Sequence, residues 1–136
     1  MTRQEKTFTP IAVAEATSLS AAEAIQYHYD NDTAFFALWL DPTLSYSAAR
    51  WQAPHGKGPV APDLATAQKA KIDFHLDALQ LPEKARILDV GCGWGAVLDA
   101  AVTARGAARA VGLTLSEDQH RHITDRNIPH VEVLLE

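Results

Sequence analysis

The residues of this chain best suited to chemistry lie in one run, Asp89-Val90-Gly91-Cys92-Gly93-Trp94-Gly95. Glycine at position 91 permits a tight turn, and glycine at position 93 lets a ligand approach the main chain. A helix that begins directly after such a turn offers its unpaired N–H groups to whatever sits above it. The chemistry expected is recognition of a nucleotide-like ligand by backbone groups. A strand-to-helix turn with incidental glycines is the plain alternative. Alternating glycines at the carboxyl end of a parallel strand weigh against it, because open α/β sheets hold their ligands there.

The neighbours of the loop bear on which ligand it takes. Gly91, Gly93 and Ala96 satisfy the dinucleotide pattern G-x-G-x-x-A, a weak match when taken alone. A dinucleotide site needs an acidic residue about 20 positions further on to hold the ribose. This chain has Leu113-Thr114-Leu115 there. Asp89, two residues before the first glycine, would repel a pyrophosphate but accepts a sulfonium ligand that carries an amino-acid ammonium. The loop therefore favours S-adenosylmethionine, with an NAD-dependent oxidoreductase as the weaker reading.

Other reactive side chains add little. Cys92, the only cysteine, reads as a small residue in a tight loop and not as a nucleophile. The six histidines show no H-x-x-x-H spacing, and His120 and His122 fall on different helix faces, so no metal site is expected. No catalytic residue is identified.

The elements that must position this loop follow from the flanking pattern. A chain of 136 residues with 47% hydrophobic and 21% charged residues suits one globular domain. A net charge of -5 without a basic cluster argues against nucleic acid. Met1 to Phe8 holds no apolar signal segment, and no apolar run approaches the roughly 18 residues of a membrane span. A soluble cytoplasmic protein is expected.

Along the chain, Ile11 to Ala16 is Ala-rich, and Ser20 with Glu23 forms a capping box before a helix carrying Ala24, Ile25 and Tyr27. A second helix is expected from Asp32 or Thr33 through Phe35, Phe36, Leu38, Trp39 and Leu40, ended by Asp41-Pro42. Pro54 to Pro62 reads as a loop. Asp63 caps a helix to about Gln80, with Leu64, Ala67, Ile72, Leu76 and Leu79 on one face. Strands are expected at Arg86–Val90, Ala108–Leu113 and His130–Leu135, with helices at Trp94–Arg105 and Ser116–Arg126 between them. This is α/β, a βαβαβ unit with a parallel sheet in the order 3-2-1. Residues 1–60 form an N-terminal helical cap, and residues 61–136 the first half of a Rossmann-like doubly wound sheet.

Residues 25 to 136 resemble the cyclopropane-fatty-acid synthase and mycolic-acid cyclopropane synthase family of methyltransferases. The stretches that carry the likeness are His28-Tyr29-Asp30, Phe35 to Thr43, Leu44-Ser45-Tyr46-Ser47, Ala67 to Asp73, Leu88 to Gly95, and Gly112 to Ser116 with Gln119. The resemblance implies S-adenosylmethionine as cofactor, held by Tyr46 and Ser47, by Leu88, Asp89, Val90, Gly91, Cys92, Gly93, Trp94 and Gly95, and by Thr114, Leu115 and Gln119. From the residues alone, Gln119 equally completes a capping box with Ser116. Tyr46 equally reads as a core aromatic, and His28-Tyr29-Asp30 as a helix end.

Two departures bear on function. Cyclopropanating members commonly carry Cys directly after the Tyr-Ser pair, where this chain has Ala48. The family also continues roughly as long again beyond the third strand, through residues expected to hold the adenine and act as base. The sequence thus reads as the cofactor-binding half of a methyltransferase for an apolar lipid, prenyl or natural-product acceptor, inactive by itself. The resemblance leaves peripheral membrane contact open. Self-association or a completing second chain is expected, and a non-catalytic binding module is the alternative from another class.

Overall fold

Short aliphatic runs separated by glycine- or proline-marked links build a βαβαβ unit in the second half of the chain. The computed structural model describes residues 20, 32–52 and 58–136. Its elements are α1 (Thr33–Phe36), α2 (Leu64–Ala78), β1 (Arg86–Val90), α3 (Ala96–Thr103), β2 (Arg109–Thr114), α4 (Glu117–Arg126) and β3 (Val131–Leu135). The Ala-rich stretch, the helix expected after Ser20, His28-Tyr29-Asp30 and the middle of the loop after Trp51 lie outside the described residues.

The strands are parallel in the order β1-β2-β3, with Ile87 opposite Ala110 and Gly112 opposite Val133. This is the mixed α/β arrangement, and the 3-2-1 order, that the sequence implies. Helices α3 and α4 cover one sheet face, where Leu98, Ile123 and Cys92 pack on Ile87, Ala110, Val131 and Val133. Gly112 makes this approach possible: a Cβ there would stand 2.6 Å from Leu98 Cδ1 and 2.7 Å from Cys92 Sγ.

The other face is bare among the described residues. Strand residues alternate faces, so Leu88 and Val90 point away from α3, and they are 63% and 73% exposed. β1 also forms an edge of the sheet. Parallel sheets are ordinarily covered on both faces, and the described residues leave this apolar strip uncovered.

Helix α2 starts where Asp63 accepts a hydrogen bond from Thr66 N at 2.7 Å. That bond holds the Asp63 carboxyl below its ordinary range. Ala67, Gln68, Ile72 and Leu76 are buried along it, whereas Leu79, expected on the same face, is its C-cap and 58% exposed. The helix has turned that residue outward just before Gln80, whose φ of 47° ends it.

Two helices are shorter than the sequence suggests. The segment expected to run helically through Leu40 stops at Phe36. Leu38 N and Trp39 N bond three residues back, to Phe35 O and Phe36 O, as in a tightening last turn. The buried Asp41 carboxylate then takes the N–H groups of Thr43 and Ser45, drawing the chain into a turn. Helix α3 begins at Ala96 and not at Trp94, because its N-cap Gly95 sits at φ 83°. No helix among the described residues is long and apolar enough to cross a membrane.

Candidate functional site

The carboxyl ends of β1 and β2 open into a cavity of ≈ 650 Å³, within the roughly 300–1,000 Å³ usual for small-molecule sites. Its floor is the glycine loop. Gly91 N and Cys92 N both bond Leu113 O at 3.0 Å, which ties the loop to the end of β2. Gly91 and Gly93 have φ of 77° and 56°, and a Cβ on either would meet nothing within 4 Å. Both therefore present bare backbone to open space.

Gly95 belongs to a different environment. A Cβ there would stand 2.9 Å from Ile123 Cγ1, so this glycine serves the packing of α3 on α4. Of the residues expected to hold a cofactor, Tyr46, Ser47, Asp89, Val90, Gly91, Cys92, Gly93, Trp94, Thr114, Leu115 and Gln119 line the cavity. Leu88 and Gly95 do not. Leu88 lies two residues before Val90, further from the carboxyl end of β1, and Gly95 packs against Ile123 of α4.

The second wall comes from residues 44–47, which a distant helix holds in place. Gln68 on α2 donates from its amide nitrogen to Ser45 O at 2.9 Å and to Ser47 O at 2.8 Å. Lys71, one turn later, donates from Nζ to Ser47 Oγ at 2.8 Å. Tyr46 does two jobs: its ring lines the cavity and packs on Phe36 and Trp39, with centroids 5.6 and 5.0 Å away. Trp94 joins this wall to the glycine loop. It is buried, packs at a tilt against Phe36 with ring centroids 4.7 Å apart, and donates from Nε1 to Thr33 Oγ1 at 3.1 Å.

After β2, Thr114 donates its hydroxyl to Gln119 Oε1 at 2.6 Å and accepts from Ser116 N. Ser116 Oγ accepts from Gln119 N at 3.3 Å, so the helix cap exists. The reciprocal half of the expected capping box does not: Ser116 N is satisfied by Thr114, and the Gln119 side chain turns to Thr114 at the cavity wall. Sequence reasoning missed Gln68, Lys71, Ile72 and Glu136 as lining or supporting residues. A buried Gln three positions from a Lys on a helix face is the one local signal that could have marked the first two.

Burial alone pushes the Asp89 carboxyl above its ordinary range. The Cys92 thiol is pushed up to about 12, first by burial and then by the charge of Asp89. At pH 8 only roughly one thiol in 10,000 would be ionised at such a pKa. Native protein treated with iodoacetamide at pH 8 should stay unlabelled by mass spectrometry, while the urea-unfolded chain takes up one adduct. Rapid labelling of the native chain would show that Cys92 is accessible. Among the described residues, no three His, Cys, Asp or Glu side chains are grouped to hold a metal ion.

Comparison with known proteins gives a consistent picture. The family profile described as mycolic acid cyclopropane synthetase matches residues 17–132. Cyclopropane mycolic acid synthase 2 of Mycobacterium bovis is 43% identical over 100 residues, which are 74% of this chain and 31% of that protein. Among solved structures, the cyclopropane synthase MmaA2 from Mycobacterium tuberculosis superposes with a TM-score of 0.74 at 37% identity, covering 85% of this chain and 40% of that one. The mycolic acid cyclopropane synthase CmaA1, complexed with SAH and CTAB, gives a TM-score of 0.71 at 38% identity over the same shares. The chain thus spans about a third of the length of the curated relative.

Proposed function

The chain belongs to the mycolic acid cyclopropane synthetase family, and on that premise we propose that its cavity holds S-adenosylmethionine for methyl transfer to a lipid acceptor. The observation that carries this reading is the pair of open, positive-φ glycines, Gly91 and Gly93, beside the desolvated Asp89 carboxyl. That carboxylate suits a cationic ligand and opposes a pyrophosphate. Gly91 and Gly93 would hold the ligand by backbone contact. Thr114, Leu115 and Gln119 would meet its adenosine, and Tyr46 and Ser47 would close the wall. The structure of CmaA1 complexed with SAH supports the cofactor assignment.

The cofactor supplies an activated sulfonium methyl for in-line displacement by a soft nucleophile such as a carbon–carbon double bond. The residues of this chain bind and orient the ligand, and orientation is where most of the acceleration arises. Ala48, in place of Cys after the Tyr-Ser pair, favours simple methylation over cyclopropanation. In this reading residues 1–60 are a cap, residues 61–136 are the cofactor-binding half, and the enzyme works in the cytoplasm.

Turnover needs more than residues 1–136. In doubly wound sheets the ligand crevice lies at the switch point beside the first strand. Among the described residues β1 is paired on one side only and Leu88 and Val90 are exposed, a surface suited to further strands from a completing chain or to self-association. Calorimetry on the 136-residue protein should detect binding of S-adenosylhomocysteine and none of NAD. NAD binding without S-adenosylhomocysteine binding would replace this reading with an oxidoreductase. Light scattering and labelled methyl transfer should find an associating protein without turnover. A monomer with multiple turnovers would overturn the claim of incompleteness.

A further inference from the structure

The charges around the cavity are uneven. Among the described residues its lining includes two acids, Asp89 and Glu136, and one cation, Lys71. Neighbouring cations are engaged elsewhere: Lys69 pairs with Asp73 at 2.5 Å, and the Arg50 guanidinium lies 3.9 Å from the Phe74 ring centre. Thr114, Leu115 and Gln119 contribute a hydroxyl, main chain and an amide, but no charge.

Lys71 lies on α2 and reaches the wall formed by residues 44–47. Its hydrogen bond to Ser47 Oγ at 2.8 Å uses one of the three donors of an ammonium group. Asp41 is the nearby acid: Oδ2 accepts from Thr43 N and Thr43 Oγ1, and Oδ1 from Ser45 N, while its negative charge acts on Lys71 through space. Burial lowers the Lys71 pKa, and Asp41 offsets that only in part. The ammonium is therefore a half-buried cation, attracted by Asp41 and with donors beyond the one given to Ser47, facing a cavity whose other described lining residues are neutral or acidic.

We infer that Lys71 receives the carboxylate of the ligand's amino-acid moiety, so that the cavity selects adenosyl thioethers bearing an α-carboxylate over those without one. The inference rests on the reading of the cavity as a site for S-adenosylmethionine. Asp89 suits the ammonium and sulfonium of that ligand, and Lys71 suits its one negative group. The competing role for Lys71 is a brace that only fastens Ser47, beside Gln68, which already holds the adjoining carbonyls.

Calorimetry with S-adenosylhomocysteine and with its decarboxylated analogue, S-(5′-adenosyl)-3-thiopropylamine, separates the two roles. Wild-type protein, Lys71→Met and Lys71→Arg would be compared. Lys71→Met should weaken S-adenosylhomocysteine roughly ten- to a hundredfold, the size of a lost charge-assisted hydrogen bond, and leave the analogue unchanged. Lys71→Arg should recover most of the loss. An equal loss for both ligands, or no loss for either, would overturn the inference and leave the cofactor assignment standing. Failure of the wild-type protein to bind S-adenosylhomocysteine would remove the cofactor assignment, and this inference with it.

Discussion

Trp94→Ala should lower the unfolding free energy by about 3–5 kcal/mol, the usual effect of truncating a buried tryptophan. A domain of this size has only about 5–15 kcal/mol in hand, so the variant should be near the limit of folding at 37 °C. The indole is 2% exposed and is enclosed with Phe36 and Leu44. Its loss also strips Thr33 Oγ1 of a donor at 3.1 Å. Because Trp94 is the link between residues 33–44 and the glycine loop, the Tyr46–Ser47 wall should loosen and ligand affinity fall as well. Trp94→Phe keeps most of the packing and loses the hydrogen bond, worth about 1 kcal/mol. Urea unfolding followed by circular dichroism measures both variants. A cost under about 1 kcal/mol for Trp94→Ala would mean that the cap and loop are not joined through this residue.

Gly93→Val should reduce affinity for S-adenosylhomocysteine by at least roughly a hundredfold, equivalent to about 2.7 kcal/mol. The backbone at position 93 has φ 56°, and a Cβ there projects into open cavity. A β-branched side chain would fill the space that the ligand needs beside the main chain, and would strain a left-handed position. Gly95→Val provides the contrast. Its Cβ would meet Ile123 Cγ1 at 2.9 Å, so the damage should appear as a lower melting temperature, whatever happens to affinity. Calorimetry paired with thermal melts distinguishes the two. Unchanged affinity in Gly93→Val would remove the glycine loop from the site.

Much of the fold was legible locally. Asp63 and Ser116 are N-caps as expected, because a capping bond spans only a few residues and is written in residue type. The βαβαβ order followed from strand and helix runs separated by short links. The differences are also local in origin. Leu88 does not line the cavity, although Val90, two residues on and on the same face, does. Naming Gly95 with Gly91 and Gly93 as a cofactor contact gave no sign that it also packs against Ile123. Extending the helix that starts at Asp32 or Thr33 through Leu40 missed the Asp41 carboxylate, which captures main-chain N–H groups into a turn.

By itself, the amino-acid sequence determined the element types, their parallel order and the loop at the end of β1. Those depend on hydrophobic period, caps and turn residues that act within one or two turns of chain. Only tertiary structure decided which glycines face the cavity, that Lys71 places a cation in its lining, and that Gln68 and Trp94 brace its walls. Gln68 reaches Ser45 across 23 residues, and Trp94 reaches Thr33 across 61. Contacts at such separations are made by the packing of α2 and the glycine loop against residues 33–47, and no local pattern specifies them.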